Sequence, residues 1–239
     1  MWAVAVWLLV WQILSVCVGH EILLPSPASV ILRLTELVRE SGFWRSILFS
    51  LQRITTGFMI AAVSGIVLAS LAARFRRFEE LFAPAILAVK ATPVASIIIL
   101  ALVWVSSRNL SVLISFLMVL PVMYANVLGG IKSADKKLLE MADVFGIPMR
   151  RRIPHIYVPQ VFPFFHSACS IALGLCWKSG IAAEVIGIPG GSIGEKLYKA
   201  KIYLATSDLF AWTLTIIMVS VAFERLFMLL VRIIMDRMN

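Results

Sequence analysis

Long apolar stretches alternate with short polar clusters along almost the whole chain. A helix needs about 20 apolar residues to cross a bilayer, because each residue rises about 1.5 Å and the hydrocarbon core is about 30 Å thick. The stretches are continuous and lack the alternation of barrel strands, so we expect helices. The predicted spans are 1–18, 47–73, 81–105, 110–131, 161–188 and 209–231. The pattern therefore predicts an all-α, polytopic membrane protein with about six transmembrane helices.

The composition of the chain favours a membrane protein over a soluble one. Hydrophobic residues make up 61% of the sequence and charged residues 15%, and the mean hydropathy is +0.95. Soluble domains are roughly half apolar and one quarter charged, because their surfaces need charged groups in contact with water. A soluble protein with a large apolar core is therefore disfavoured.

The distribution of Lys and Arg predicts the orientation, since positive loops resist translocation. With both termini in the cytoplasm, the cytoplasmic side holds eleven such residues and the outer side seven. The cytoplasmic set is Arg74, Arg76, Arg77, Lys132, Lys136, Lys137, Arg150, Arg151, Arg152, Arg232 and Arg237. The net charge of +9 then fits a basic rim beside anionic lipid, and no nucleic acid partner is needed.

The predicted spans fill the chain, so we predict a single membrane domain over residues 1–239. It has a first span at 1–18, an extracytoplasmic segment at 19–46 with an amphipathic helix, and a core at 47–239 that includes a cytoplasmic loop at about 132–160. The first span also resembles a lipoprotein signal ending at Cys17. A retained helix is favoured, because no basic residue precedes it and Val16 stands where such signals need a small side chain.

Motifs for chemistry are missing from the sequence. It has no phosphate-binding G-x-x-x-x-G-K-[ST] loop and no H-E-x-x-H pair. Cys169 and Cys176 lie in apolar surroundings, so buried thiols are expected. We therefore predict no catalytic residue, no metal site and no cofactor in this chain.

The polar segment at 132–160 has the pattern of a short helix, a tight turn and a second helix. From Asp135 onward, Leu138, Met141, Ala142 and Phe145 recur at helical spacing, opposite Lys136, Lys137, Glu140 and Asp143. Gly146 stands where a helix end favours a left-handed residue, and a second helix can begin at Pro148.

The second helix of this segment is also amphipathic. Its apolar face consists of Met149, Ile153 and Ile156, its arginines at 150–152 are expected to extend outward, and bends are expected at Pro154 and Pro159. Such a hairpin suits either binding to lipid headgroups or docking to a cytoplasmic partner. Amphipathicity alone does not separate the two.

The same segment resembles the signature of permease subunits of binding-protein-dependent ABC importers: E-A-A, three residues, G, nine residues, I-x-L-P. The sequence has Glu140-Met141-Ala142, Gly146 and Ile156-Tyr157-Val158-Pro159 at these spacings. Other segments resemble the nitrate, sulfonate and taurine branch: LPSP at 24–27, SLQRITTGF at 50–58, LGLCWKSGIAAEVIG at 173–187 and FAWTLTIIMVSVAFERLF at 210–227. Pro154 departs from the pattern, since family members keep a helix going there.

The resemblance implies a multi-pass, non-catalytic subunit of a bacterial cell membrane. Two permease copies, expected to be identical, would form the pathway, and each would insert its short helix into a cytoplasmic ABC ATPase dimer that binds ATP and Mg²⁺. An external binding protein would deliver a small anionic or vitamin-like solute. The residues implied in ATPase coupling are Leu138, Glu140, Ala142, Phe145, Gly146, Ile156 and Pro159, with Leu138, Ala142 and Phe145 as apolar anchors.

Charges inside predicted spans are further candidates, because they are costly in lipid and usually face protein or water. Lys90, Lys178 and Glu184 lie deepest, and we hypothesise that a lysine lines the solute path and favours an anion; a structural interhelical pair is the alternative. Lys178 and Glu184 lie on separated helix faces and should not pair with each other. Arg53, Glu224 and Arg225 lie near span ends, where they can reach the membrane surface.

Two other function classes are compatible with a membrane chain. A stand-alone secondary transporter usually shows an internal repeat with broken spans at matching positions, and no such repeat is visible. A structural or lipid-binding membrane protein would explain the basic segment but not its glycine and proline spacing.

Overall fold

The computed structural model describes residues 2–236, and these residues contain helices and no strand. The all-α prediction is confirmed. Two residues named above, Met1 and Arg237, lie outside the described residues. The helices are α1 Trp2–Val18, α2 Pro27–Arg39, α3 Ser41–Arg74, α4 Arg76–Ala91, α5 Val94–Ala101, α6 Ser107–Lys132, α7 Lys136–Val144, α8 Met149–Arg152, α9 Val158–Gly187, α10 Ile193–Ile202 and α11 Thr206–Asp236.

Four helical stretches of the described chain are long and apolar enough to cross a membrane: α3, α6, Met149–Gly187 and Thr206–Ile233. They confirm four of the predicted spans. The amphipathic helix predicted within 19–46 is α2. The side chain of Ser26 caps its N-terminus by accepting a hydrogen bond from the N–H of Ser29. Helix α1 has 17 residues, so a sixth span stays a prediction.

The continuous span predicted at 81–105 is wrong. Helices α4 and α5 cover this stretch, and they are bent by 102° at the break between them. Pro93 causes the break, because it has no N–H to donate and its ring disfavours a helical conformation at the preceding residue. Thr92 is accordingly extended, with φ −79° and ψ 130°.

Close contacts show how the long helices run. Helices α3 and α6 are parallel, because Gly57 lies against Val112 and Gly65 lies against Met123. The N-terminal part of α9 contacts the C-terminal part of α6, and α9 is therefore antiparallel to both; α11 runs parallel to α3. The end of the bundle that carries Arg74, Lys132 and Met149 is called the loop end, and the opposite end is called the distal end.

The parallel pair α3 and α6 requires the chain to return from the loop end to the distal end between residues 75 and 106. The bent pair of α4 and α5 provides this connection, although neither helix alone is long enough to cross. The main core lies between α3, α6, α9 and α11, and includes the fully buried Ile54, Phe58, Met123 and Leu173.

The expected bends at Pro154 and Pro159 are wrong, since Met149–Gly187 runs as one 39-residue helix. A π-helical turn at Ile153–Tyr157 joins α8 to α9, and the N–H of Val158 donates to the carbonyl of Ile153. A wider turn leaves room for the ring of Pro154, which would clash in an α-helix. Pro159 follows the π turn directly, as the second residue of α9.

Candidate functional site

The short helix α7 at the loop end is fixed at its N-terminus by Asp135. The carboxylate of Asp135 accepts a hydrogen bond from the N–H of Lys137 (2.8 Å), which satisfies a donor that has no partner within the helix. The N–H of Asp135 donates to Oε1 of Gln160 (2.7 Å). The start of α7 is therefore attached directly to the first turn of α9.

The turn after α7 is the one that the sequence predicted. Gly146 has φ +63°, a left-handed conformation that L side chains rarely adopt. Its N–H donates to the carbonyl of Asp143 (3.1 Å), and the N–H of Ile147 donates to that of Ala142 (2.9 Å). This is the Schellman arrangement, which ends a helix with its last carbonyls satisfied.

Arg152 holds the end of α7 from the side. Its Nε donates to the carbonyl of Ile147 (2.6 Å) and its Nη2 to that of Ala142 (3.0 Å), while its Nη1 pairs with the Asp143 carboxylate. The side chain is only 15% exposed, so the expectation that all three arginines extend outward is wrong for Arg152. The planar guanidinium supplies several donors at once, to two carbonyls and one carboxylate.

Some residues of the apolar stripe of α7 are buried within the segment, and others are exposed on its surface. Ala142 is 0% exposed and Ile156 is buried, so Ala142 supports the segment from within and is not available as an anchor in this conformation. Phe145 is 74% exposed and Val144 is 83% exposed. Leu138, Glu140, Gly146 and Pro159 are exposed as well. Sequence reasoning missed Val144, because it lies off the helical stripe.

Lys178 lies in a cavity between α9 and α11, near the middle of the membrane-spanning helices. The cavity has a volume of about 320 Å³, and its polar lining includes Lys178, Ser220 and Glu224. Glu224, expected near a membrane surface, accepts a hydrogen bond from Ser170 (3.1 Å). Tertiary packing therefore places a lysine and a carboxylate in one cavity, which helical spacing within a single helix could not reveal.

The other two candidates lie elsewhere. Lys90 is exposed in the last turn of α4, just before the break at Pro93, and it does not line this cavity. Glu184 is 0% exposed, so it lines no surface in this conformation. The role of each in a solute path stays a prediction.

Glu184 instead joins three helices at the distal end. Its Oε2 accepts hydrogen bonds from Oγ of Ser50 in α3 (2.6 Å) and from the N–H of Gly194 in α10 (3.2 Å). Oγ of Ser50 in turn accepts a hydrogen bond from the N–H of Ile193 (3.0 Å). We call these hydrogen bonds the Glu184 contact.

Helix α10 also carries a charged pair of one half-buried and one exposed side chain. Glu195 bonds to Nζ of Lys199 (2.6 Å) and to the N–H of Gly191 (2.6 Å). Partial burial acts to raise the pKa of the Glu195 carboxyl, but the bonds from Lys199 and Gly191 outweigh it and hold that pKa below its ordinary value. The same pairing raises the pKa of Lys199.

Metal-binding groups are not brought together in the part of the chain that the structure describes, since no three His, Cys, Asp or Glu residues converge there. Cys169 and Cys176 are buried free thiols, as predicted, while Cys17 is exposed.

Comparison with known proteins identifies the family. Residues 65–239 match the model of the family described as "Binding-protein-dependent transport system inner membrane component". A putative aliphatic sulfonates transport permease protein of Bacillus subtilis is 26% identical over 210 residues, covering 87% of this chain and 75% of that protein.

Two further relatives have other named solutes. A nitrate import permease protein of Synechococcus elongatus is 25% identical, and the match covers 82% of this chain and 73% of that protein. A formylaminopyrimidine transport permease protein of Halalkalibacterium halodurans is 26% identical, and the match covers 77% of this chain and 74% of that protein. The chain thus belongs to the family of inner membrane components of binding-protein-dependent transport systems, as the permease subunit of an ABC importer.

Proposed function

We propose that the loop end docks onto a cytoplasmic ABC ATPase through α7. The observation that carries this proposal is the exposed pair Val144 and Phe145 at the tip of a segment whose backbone is held by Arg152 and by the Gly146 turn. An apolar tip on a short, fixed helix suits a groove in a partner, because little conformational entropy is lost on binding. Glu140 and Leu138 flank this tip on the exposed side of α7.

Movement of α7 would reach the rest of the permease through the Met149–Gly187 helix. This helix begins at the residue after Pro148 and has 39 residues, or about 60 Å at about 1.5 Å per residue. Arg152 and Ile156 lie in its first turns, so α7 and the helix would move together. Coupling of this kind depends on a continuous, rigid element between two sites.

Lys178 and its cavity are our candidate for the solute path. A lysine inside the membrane favours an anion, and relatives carry the names of nitrate, aliphatic sulfonate and formylaminopyrimidine transporters. We propose a small anionic or vitamin-precursor solute for this chain. Lys90 and Glu184 are retained as path candidates for conformations in which they become accessible.

The remaining parts of the proposal follow from the family. Two identical permease copies would form the pathway, both termini and the loop end would face the cytoplasm, and the distal end would receive an external binding protein. ATP and Mg²⁺ would be held by the ATPase, and this chain would have no catalytic role. The basic residues of the loop end would lie beside anionic lipid.

Reconstitution into liposomes tests the proposal. The permease, its ATPase and its binding protein should take up one of three probes, namely an aliphatic sulfonate, nitrate or formylaminopyrimidine, when ATP is enclosed with the ATPase. Uptake by the permease alone, without ATP, would instead establish a secondary transporter.

A substitution at the tip tests the docking surface. Phe145→Ser should reduce the amount of ATPase that co-purifies with the permease by roughly tenfold, the usual loss for one apolar anchor. Phe75→Ser is the matched control, because Phe75 is also exposed at the loop end but belongs to no part of α7. Equal co-purification in both variants would argue against docking through α7.

A further inference from the structure

The Glu184 contact belongs neither to the proposed docking surface on α7 nor to the cavity that contains Lys178. The first N–H groups of a helix have no partner within it, and α10 satisfies two of its own through other helices: Ile193 through Ser50 and Gly194 through Glu184. The N–H of Glu195 is satisfied locally, by Oγ of Ser192 (3.0 Å). The N-terminus of α10 therefore depends on α3 and α9.

The contact is tightly packed and buried. A Cβ at Gly194 would lie 2.3 Å from Cβ of Glu184, so the two helices touch at their backbones. Glu184 and Ser50 are both 0% exposed. A small relative shift of the helices would therefore break buried hydrogen bonds at this contact.

Both connections of α10 are strained. Ile188, which follows α9, has φ +47°, and Leu204, which follows α10, has φ +54°. Left-handed backbone is unfavourable for any residue with a side chain and most of all for a β-branched one such as Ile188. Strained backbone therefore flanks α10 on both sides.

Glu184 lies at the distal end of Met149–Gly187, and Arg152, which contacts the end of α7, lies at the loop end of the same helix. We propose that Glu184 is a positioning residue that holds α10 against α3 and α9 in the resting transporter. Movement that begins at α7 opens the Glu184 contact and releases α10 at the distal end. The inference rests on the proposed coupling function, and it adds the element that responds on the other side of the membrane.

Accessibility of α10 tests the proposal. Ala200 is buried on α10, and an Ala200→Cys variant in a Cys17→Ser background can be labelled with a polar maleimide in nanodiscs that contain the complete transporter. Labelling should be slow without nucleotide and roughly tenfold faster after trapping with ATP and vanadate. The Cys17→Ser protein alone measures the background from the buried Cys169 and Cys176.

Substitutions then connect this opening to the Glu184 contact. Ser50→Ala removes the hydroxyl shared by Glu184 and Ile193, and should speed labelling without nucleotide by roughly three- to tenfold, as expected for one or two lost hydrogen bonds. Ser179→Ala is the matched control, because its buried hydroxyl bonds only to the carbonyls of Leu175 and Cys176 in its own helix. Glu184→Gln keeps a carbonyl oxygen for both bonds and should retain slow labelling.

Three results would overturn the proposal: equal labelling of the Ser50→Ala and Ser179→Ala variants, fast labelling of the Glu184→Gln variant, or no change on trapping. The comparison of the two serine variants needs no nucleotide. It therefore judges the Glu184 contact even if ATP-dependent uptake by the parent protein fails and the proposed function falls.

Discussion

The two ends of the Met149–Gly187 helix are held by different kinds of contact. At the loop end, α7 is fixed by bonds among residues 135–160, from Asp135, Arg152 and the turn at Gly146. At the distal end, α10 is fixed by buried side chains separated by 134 and 143 residues in sequence. The first arrangement lies within one short stretch of chain, whereas the second depends on the packing of three helices.

This difference fits two different roles, binding at the loop end and movement at the distal end. A segment that binds a partner benefits from hydrogen bonds within the segment, because they keep its apolar tip exposed and prevent the tip from packing against the rest of the permease. An element that must move gains from contacts shared between helices, because a small relative shift of those helices breaks them. Substitutions at the distal end should therefore affect the whole bundle, and those at the loop end should remain local.

The largest effect is expected at Gly194. An alanine there would place its Cβ 2.3 Å from Cβ and 2.5 Å from the backbone carbon of Glu184, and such overpacking costs about 3 kcal/mol. Gly194→Ala should lower the thermal unfolding temperature in detergent. Size-exclusion chromatography of heated samples measures this temperature. Gly190→Ala is the control, because nothing lies within 4 Å of its added Cβ; equal unfolding of the two variants would remove the distinction between the ends.

Arg152 should have the next largest effect, and a local one. Arg152→Gln removes charged hydrogen bonds to the end of α7, which are worth about 2 kcal/mol, so hydrogen exchange of the α7 amides should rise roughly thirtyfold. The unfolding temperature of the bundle should stay unchanged. Arg151→Gln is the control, since Arg151 is exposed, and a lowered unfolding temperature for Arg152→Gln would show that the loop end is not independent.

A smaller effect is expected at Gly146. Gly146→Val forces a β-branched residue into left-handed backbone at about 1–2 kcal/mol, although nothing lies within 4 Å of the added Cβ. The ratio of solute taken up to ATP hydrolysed should fall, while Gly146→Asn, which tolerates this conformation, should behave like the parent. Normal uptake by the valine variant would contradict the coupling role of the turn.

The smallest effect is expected at Lys178, which is exposed in its cavity. Lys178→Met should leave stability unchanged and reduce uptake of an anionic probe several-fold relative to an uncharged one, because a cation in the path favours anions. Lys201→Met, at an exposed position of α10, controls for loss of charge at the distal end. An unchanged preference would remove Lys178 from the solute path.

Sequence patterns predicted the features that depend on neighbouring residues. The length of the apolar stretches predicted α3, α6, α9 and α11, because hydrophobic thickness sets span length. The turn at Gly146 could be predicted, because helix-end chemistry is confined to one or two turns. The break at Pro93 carried a local signal as well, but the hydropathy of the surrounding stretch concealed it.

Features that depend on packing could not be predicted. The three consecutive arginines cannot be distinguished in sequence. Arg152 bonds to the end of α7 only because α8 lies beside it in the folded structure. Glu224 and Lys178 share a cavity because α9 and α11 pack side by side, which no periodicity within one helix encodes.

The sequence by itself determined the membrane-spanning class, the family and the α7 turn, because apolar length, motif spacing and helix-end chemistry act over short stretches of chain. Only the tertiary structure decided that Glu184 is buried against Ser50 and the start of α10, that Arg152 supports α7 and that a π turn carries the helix past Pro154. These outcomes depend on which helices meet and at what distance, since a buried polar group takes the partner that packing brings within reach.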